Sequence, residues 1–145
     1  MFSLFKRPPD RIINDSYLLR WHIIPRNRFC NIYLHCFLGS DDDRALHDHP
    51  WWSLSFLLKG ELIEHTEDFG YDGEVIKTSK VVRRFLPKIR YAKFAHRIEL
   101  PGKEAWTLFI TGPKVRTWGF HCPKGWVPWR HFTDATGNQI GRGCD

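Results

Sequence analysis

With 145 residues, 42 % of them hydrophobic and 15 % aromatic, the chain has the composition of one globular domain that buries a core without staples, which excludes a disordered protein. No apolar run approaches the ~18 residues of a membrane helix, and the opening Met1-Phe2-Ser3-Leu4-Phe5-Lys6-Arg7-Pro8-Pro9 breaks too early for a signal-peptide core, so a cytoplasmic protein is expected. The net charge of +6 raises the question of nucleic acid, but no helix-turn-helix, finger or RNA-binding motif accompanies it.

Residues 1–15 read as an N-terminal arm. Residues 31–38 form a strand rich in aromatic and aliphatic side chains, and Gly39-Ser40-Asp41-Asp42-Asp43 ends it with turn chemistry. The next strand is 51–59, broken by Gly60 and continued by 61–66. Residues 68–73 form a loop, and 75–76 and 81–86 read as two further strands. Residues 95–100 form a strand, Pro101-Gly102-Lys103 a hairpin turn and 106–111 the strand after it. Helical periodicity is scarce and short strands with turn punctuation dominate, so an all-β sandwich or barrel with few short helices is expected. Residues 114–145 form an aromatic-rich extension. Within it, 117–132 holds Trp118, Trp126 and Trp129, Phe120 and Phe132 with little periodicity; it reads as a plug or lid over one barrel end, or as a packing face for a neighbouring subunit. Residues 137–145 are glycine-rich and read as irregular.

The four cysteines, Cys30, Cys36, Cys122 and Cys144, form no Cys-x-x-Cys pair, and in a cytosolic chain free thiols are the default. Basic residues concentrate in Lys77, Lys80, Arg83, Arg84, Lys88, Arg90, Lys93 and Arg97. That run reads as a solvated sheet face or as a pocket mouth that attracts an anion.

The densest chemical signal is His47-Asp48-His49. In an extended strand, side chains at i and i+2 leave the same face, so both imidazoles point one way at a spacing that suits one metal ion. With eight histidines in the chain, about 0.4 such pairs arise by chance, so the pair alone is weak. It gains value because it opens a strand, because Gly60 closes that strand, and because His96 lies in a later strand. There His96, Ile98 and Leu100 share the inward face while Arg97 and Glu99 share the other. By the same parity Trp51 and Ser53 line the cavity beside the pair, and His35 on the preceding strand is a candidate pocket residue. His121-Cys122 resembles a nucleophile and base only in letters, because strand neighbours face opposite ways.

Gly39, His47-x-His49 and Gly60-Glu61-Leu62 resemble the first motif of the cupin superfamily, and Ala95-His96-Arg97-Ile98-Glu99 resembles the end of the second. The resemblance covers about residues 29–111. It implies a double-stranded β-helix, or jelly roll, with a metal in one mouth. The family's usual glutamate ligand falls on Ser53, so the resemblance implies a three-histidine site, as in cysteine dioxygenase-type cupins. In that group an upstream arginine clamps the substrate carboxylate, which would be Arg20 here. The group's late-strand histidine and tyrosine fall on Phe109 and Thr111, and its crosslinking cysteine on Leu54, so cysteine dioxygenation is not assigned.

These readings give metal ligands His47, His49 and His96, and substrate contacts Arg20, His35, Trp51 and Ser53; the catalytic residues stay open. One divalent ion is expected, iron(II) before zinc, manganese or nickel. The expected function is a metal-dependent, oxygenase-like enzyme for a small anionic molecule, in a homodimer. The alternatives are a non-catalytic ligand-binding cupin and a structural or assembly module.

Overall fold

The computed structural model describes residues 6–13, 17–41, 45–136 and 141–144. Twelve strands and one short helix follow in chain order: β1 (Arg11–Ile13), β2 (Leu18–His22), β3 (Asn31–Phe37), β4 (Leu46–His47), β5 (Ser53–Lys59), β6 (Ile63–Phe69), β7 (Val75–Val81), β8 (Lys88–Arg90), β9 (Arg97–Glu99), β10 (Ala105–Thr111), β11 (Gly119–Cys122), β12 (Gly125–Pro128) and α1 (Trp129–Phe132). All the pairings between strands are antiparallel.

Six strands form the main sheet in the order β1-β2-β3-β10-β5-β8. Two small sheets, β7-β6-β9 and β12-β11-β4, are joined edge to edge by an antiparallel bridge between His47 and His96. The bridge is a reciprocal pair of backbone bonds: His47 N–H donates to His96 O at 2.9 Å and His96 N–H donates to His47 O at 3.0 Å. Side chains opposed in such a pair leave the same face, so two distant segments present their imidazoles together.

The core is divided by strand alternation. Leu57, Leu62, Ile98 and Ala105 form one cluster, with Phe37, Val82 and Leu100 packed on it. Trp21, Leu34 and Cys36 form a second, with Trp106 stacked 5.4 Å from Trp21. The third lies in the C-terminal extension: Ala45, Phe120 and Phe132, with Trp118, Val127, Trp129, Cys122 and Cys144 around them. Gly60 closes the β5–β6 turn at φ +83°. A Cβ there would lie 2.3 Å from Glu104 O, so no larger residue fits without moving β10.

Several expectations need correction. Within the segment read as an arm or covering segment, β1 is the edge strand of the main sheet; residues 1–5, 14 and 15 lie outside the described residues. Residues 81–86 do not make a strand of their own: β7 takes the hairpin pairing with β6 as far as Val81, and a single bridge, Leu57 to Arg84, precedes β8. Pro101-Gly102-Lys103 is not a hairpin turn. β9 pairs with β6 while β10 pairs with β3 and β5, so the segment crosses between sheets. Of the turn at 39–43, Asp42 and Asp43 lie outside the described residues, as do 137–140 and 145 of the irregular tail; residues 141–144 run as bends and turns.

The cysteine expectation is also corrected. Cys30 and Cys36 are free, but Cys122 and Cys144 form a disulfide with Cα atoms 5.5 Å apart. The pairing is invisible in the spacing because it is made by a fold-back: the backbone N–H groups of Gly141 and Gly143 both donate to Phe132 O at 3.0 Å, and this returns the tail to the end of β11. Closing a loop of 22 residues restricts the unfolded chain. Cys122→Ser is therefore expected to lower stability by about 2–4 kcal/mol in denaturant unfolding, with the difference vanishing when both proteins are reduced.

Candidate metal centre and its cavity

The His47, His49 and His96 rings form a near-equilateral triangle. Centroids lie 5.0 Å apart for His47–His49, 5.0 Å for His47–His96 and 5.1 Å for His49–His96. One nitrogen from each lies within 4.8 Å of the others. The i, i+2 spacing of the first pair and the backbone bridge to His96 produce this arrangement, but the pair does not open the strand that Gly60 closes: His47 ends β4, His49 lies beyond it, and β4 and β5 belong to different sheets.

The electrostatics keep the site able to bind a cation. Burial, opposed by Asp41 and reinforced by His96, lowers the His47 pKa to about 4. Burial first, then the neighbouring His47 and His96, holds the His49 pKa well below the usual histidine value. Neutral imidazoles keep a lone pair for a metal. The His49 Nδ1 atom is buried and has no hydrogen-bond partner among the described residues, which is the mark of a ring whose partner is not a protein group. Three clustered imidazoles are a donor set for a first-row divalent ion, so the residues fit such a group.

A carboxylate does stand at the centre, although not at the position of Ser53. Glu64 on β6 is 5 % exposed, and its Oε1 lies 2.7 Å from His96 Nδ1. Arg90 Nε donates to the same oxygen at 2.6 Å, Arg90 Nη1 donates to Ser55 Oγ at 2.7 Å, and Lys88 Nζ lies 3.6 Å from Glu64 Oε2. Burial works to raise the Glu64 pKa, but the hydrogen bonds from His96 and Arg90 outweigh it and hold the carboxyl far below its usual range. An anionic Glu64 accepts the proton of His96 Nδ1, fixes the tautomer and leaves Nε2 for a metal. Sequence reasoning missed Glu64 because 61–66 reads as an exposed continuation. The signal is its parity with Leu62, which is 3 % exposed.

Asp48 turns away from the two histidines beside it and is 1 % exposed. Its carboxylate accepts from Gly119 N–H at 2.8 Å, Trp126 Nε1 at 2.9 Å and His121 Nε2 at 3.0 Å, and pairs with Arg116 Nη1 at 2.8 Å. Burial pushes its pKa up, but these bonds outweigh that and hold it below the ordinary aspartate value. The His-Asp-His triplet is thus two-sided: its histidines face the cavity while its aspartate ties down the extension. That extension is a β-hairpin and a helical turn whose Trp118 and Phe120 rings stand 6.3 and 6.1 Å from His47.

The centre opens into a cavity of about 1030 Å³ whose walls come from all three sheets and from α1. Arg20, His35 and Trp51 line it. Trp51 stacks on His49 at 5.0 Å, His35 is 3 % exposed, and Arg20 Nε donates to His35 Nε2 at 3.0 Å. Ser53 does not line it. It is 1 % exposed, with a hydroxyl that has no partner among the described residues, and Ser55, one step along the same face, lines the wall instead. The basic run at 77–97 contributes only Arg90 to the lining; Lys77, Lys80, Arg83, Arg84 and Lys93 are exposed, and the remaining cations of the wall come from Arg11, Arg20, Arg26, Arg28 and Lys114.

Solved structures show the same arrangement of strands. A cupin superfamily protein from Desulfitobacterium hafniense superposes at a TM-score of 0.52, with 16 % identity over 77 % of this chain and 86 % of that one. The iron(II) form of HppE superposes at 0.56, with 12 % identity over 73 % of this chain and 56 % of that one. Oxalate decarboxylase from Bacillus subtilis, which carries Mn(II) centres, superposes at 0.53, with 15 % identity over 79 % of this chain and 30 % of that one. The fold is a cupin jelly roll.

This chain spans about half the length of HppE and under a third of the decarboxylase. By sequence, no protein family and no curated protein matches it. Among the described residues no helix is long and apolar enough to cross a membrane. The jelly-roll fold sets the segments of His47 and His96 side by side.

Proposed function

We propose that this chain is a metal-dependent cupin enzyme, oxygenase-like in type, that acts on a small anionic molecule with one divalent ion held by His47, His49 and His96. The clustering of three imidazoles, two of them kept neutral by burial, carries the reading. Iron(II) is the first choice and manganese(II) the second; the jelly-roll neighbours include an iron(II) protein and a manganese(II) protein.

A divalent ion bound there supplies Lewis acidity, and iron(II) also supplies redox chemistry with dioxygen. The chain's own residues do the rest. Glu64 holds the His96 tautomer, with Arg90 holding Glu64. Arg20 offers a guanidinium to the substrate anion, His35 orients it, and Trp51 gives the substrate a flat wall. Trp118 and Phe120 close the end behind His47 against water. The three ligands bring no negative charge of their own, so an anionic ligand is favoured at the ion.

Metal content of protein purified without chelator tests the reading. About one ion per chain is expected for the wild type, falling at least about tenfold in His47→Ala and in His49→Ala. A trace content that His47→Ala leaves unchanged would remove the metal and, with it, the enzyme.

A further inference from the structure

The far end of the cavity is more cationic than a simple carboxylate needs. Arg11 and Arg20 are direct cross-strand partners on β1 and β2, and Arg20 is in register with His35 on β3. Like charges placed directly opposite each other destabilise a sheet unless something neutralises them. Arg26, in the β2–β3 connection, lines the same wall and lies near enough to act electrostatically on Arg20. None of the three has a carboxylate partner among the described residues. Among the described residues the only acidic one lining the cavity is Asp41, which accepts from Ile98 N–H and is hydrogen-bonded to Tyr17, and Arg90 is neutralised by Glu64.

The Arg20 guanidinium is built in rather than draped on the surface. Its Nε donates to His35 Nε2, and its plane lies 4.5 Å over the Tyr33 ring. His35 is clamped between Tyr33 at 5.8 Å and Phe109 at 5.1 Å. With Nε engaged, the two terminal nitrogens of the fork have no acceptor among the described residues. Burial first, then Arg11 and Arg26 against the opposing effect of Tyr33, lowers the Arg20 pKa to about 10, so it stays charged at neutral pH while the cluster lacks an anion. From this end an aromatic wall runs to the metal centre: His35 to Phe109, Phe109 to Trp51 at 5.5 Å, and Trp51 to His49.

We infer that Arg11, Arg20 and Arg26 form a subsite for a dianionic phosphoryl or phosphonyl group, carried by a substrate whose flat apolar body lies along Phe109 and Trp51 toward the three histidines. A tetrahedral dianion offers three oxygens to a fork and two further cations, whereas a carboxylate offers two oxygens and one charge. The placement of the body relative to the ion rests on the metal reading above; the anion subsite does not.

Calorimetric titration with phenylphosphonate, benzoate and inorganic phosphate tests it, on protein as purified and after treatment with chelator. Phenylphosphonate is expected to bind at least about fivefold more tightly than benzoate and more tightly than inorganic phosphate, with affinity changed less than about threefold by chelator. Arg20→Gln is expected to weaken it at least about tenfold, Arg20→Lys by less, and Arg26→Gln, an exposed change that leaves the fold intact, several-fold. The subsite is overturned by equal affinity for benzoate, by no saturable binding, by an Arg26→Gln protein indistinguishable from wild type, or by binding that chelator abolishes. The last result would leave the metal reading standing, whereas protein that carries no metal as purified and still binds phenylphosphonate would leave the subsite without the metal reading.

Discussion

Glu64→Ala is expected to lower metal affinity at least about tenfold and to cost the fold about 3–5 kcal/mol, the largest effect of any single change at the centre. Glu64 is buried between His96 and Arg90 and is bonded to both. Removing its carboxylate leaves the Arg90 guanidinium, 4 % exposed, with only Ser55 as a hydrogen-bond acceptor among the described residues. A buried charge left without its counter-ion costs far more than the pair contributes relative to apolar residues. The same substitution releases His96 Nδ1, so its ring is free to turn and to change tautomer. Glu64→Gln separates the two effects: it keeps the shape and one acceptor oxygen, so it recovers part of the stability, but it loses the charge that fixes His96. Chemical denaturation and a competitive metal titration on both variants read the outcome. A Glu64→Ala protein with wild-type metal affinity would show that His96 is oriented by the backbone bridge alone.

Asp48→Ala is expected to cost about 3–5 kcal/mol and to loosen the C-terminal extension while leaving the main sheet folded. The Asp48 carboxylate joins the end of β4 to Arg116, Gly119, His121 and Trp126, so four groups from one segment lose this partner at once, and Arg116 keeps only its bond to His49 O. The segment retains the stacked Phe120–Phe132 pair, with centroids 3.7 Å apart, and the Cys122–Cys144 disulfide. For that reason local loosening, not global unfolding, is the expected result. The near-UV circular dichroism contributed by Trp118, Trp126 and Trp129 should fall, while that of the stacked Trp21–Trp106 pair and the far-UV spectrum persist. Proteolysis should begin within residues 114–136. An Asp48→Ala protein that melts in one transition at the wild-type temperature would remove Asp48 from this role.

The histidine pair was legible because strand alternation puts i and i+2 on one face whatever the partner strands do. The barrel was legible because short strands with turn punctuation leave little else to build. Glu64 was within reach of the same parity, since Leu62 and Glu64 alternate with less buried neighbours, but a carboxylate read alone looks like a solvated residue. The cationic subsite was not legible. It depends on the register that sets Arg11 against Arg20 and Arg20 against His35, which requires β1 to be an edge strand. The order of the extension was hidden for a different reason. Its strands pair with each other and with β4, and its core of Phe120, Phe132 and Trp118 follows aromatic packing without any alternation of polar and apolar residues. The disulfide needed that same fold-back before two cysteines so distant in sequence could be paired.

The most direct test of the account is a crystal of this protein soaked in a manganese(II) or iron(II) salt, with diffraction recorded on both sides of the metal's absorption edge. One anomalous peak per chain is expected, enclosed by the imidazoles of His47, His49 and His96, and absent from His96→Ala crystals soaked in the same way. A map with no peak among these three rings, or with a peak that His96→Ala leaves in place, would contradict it.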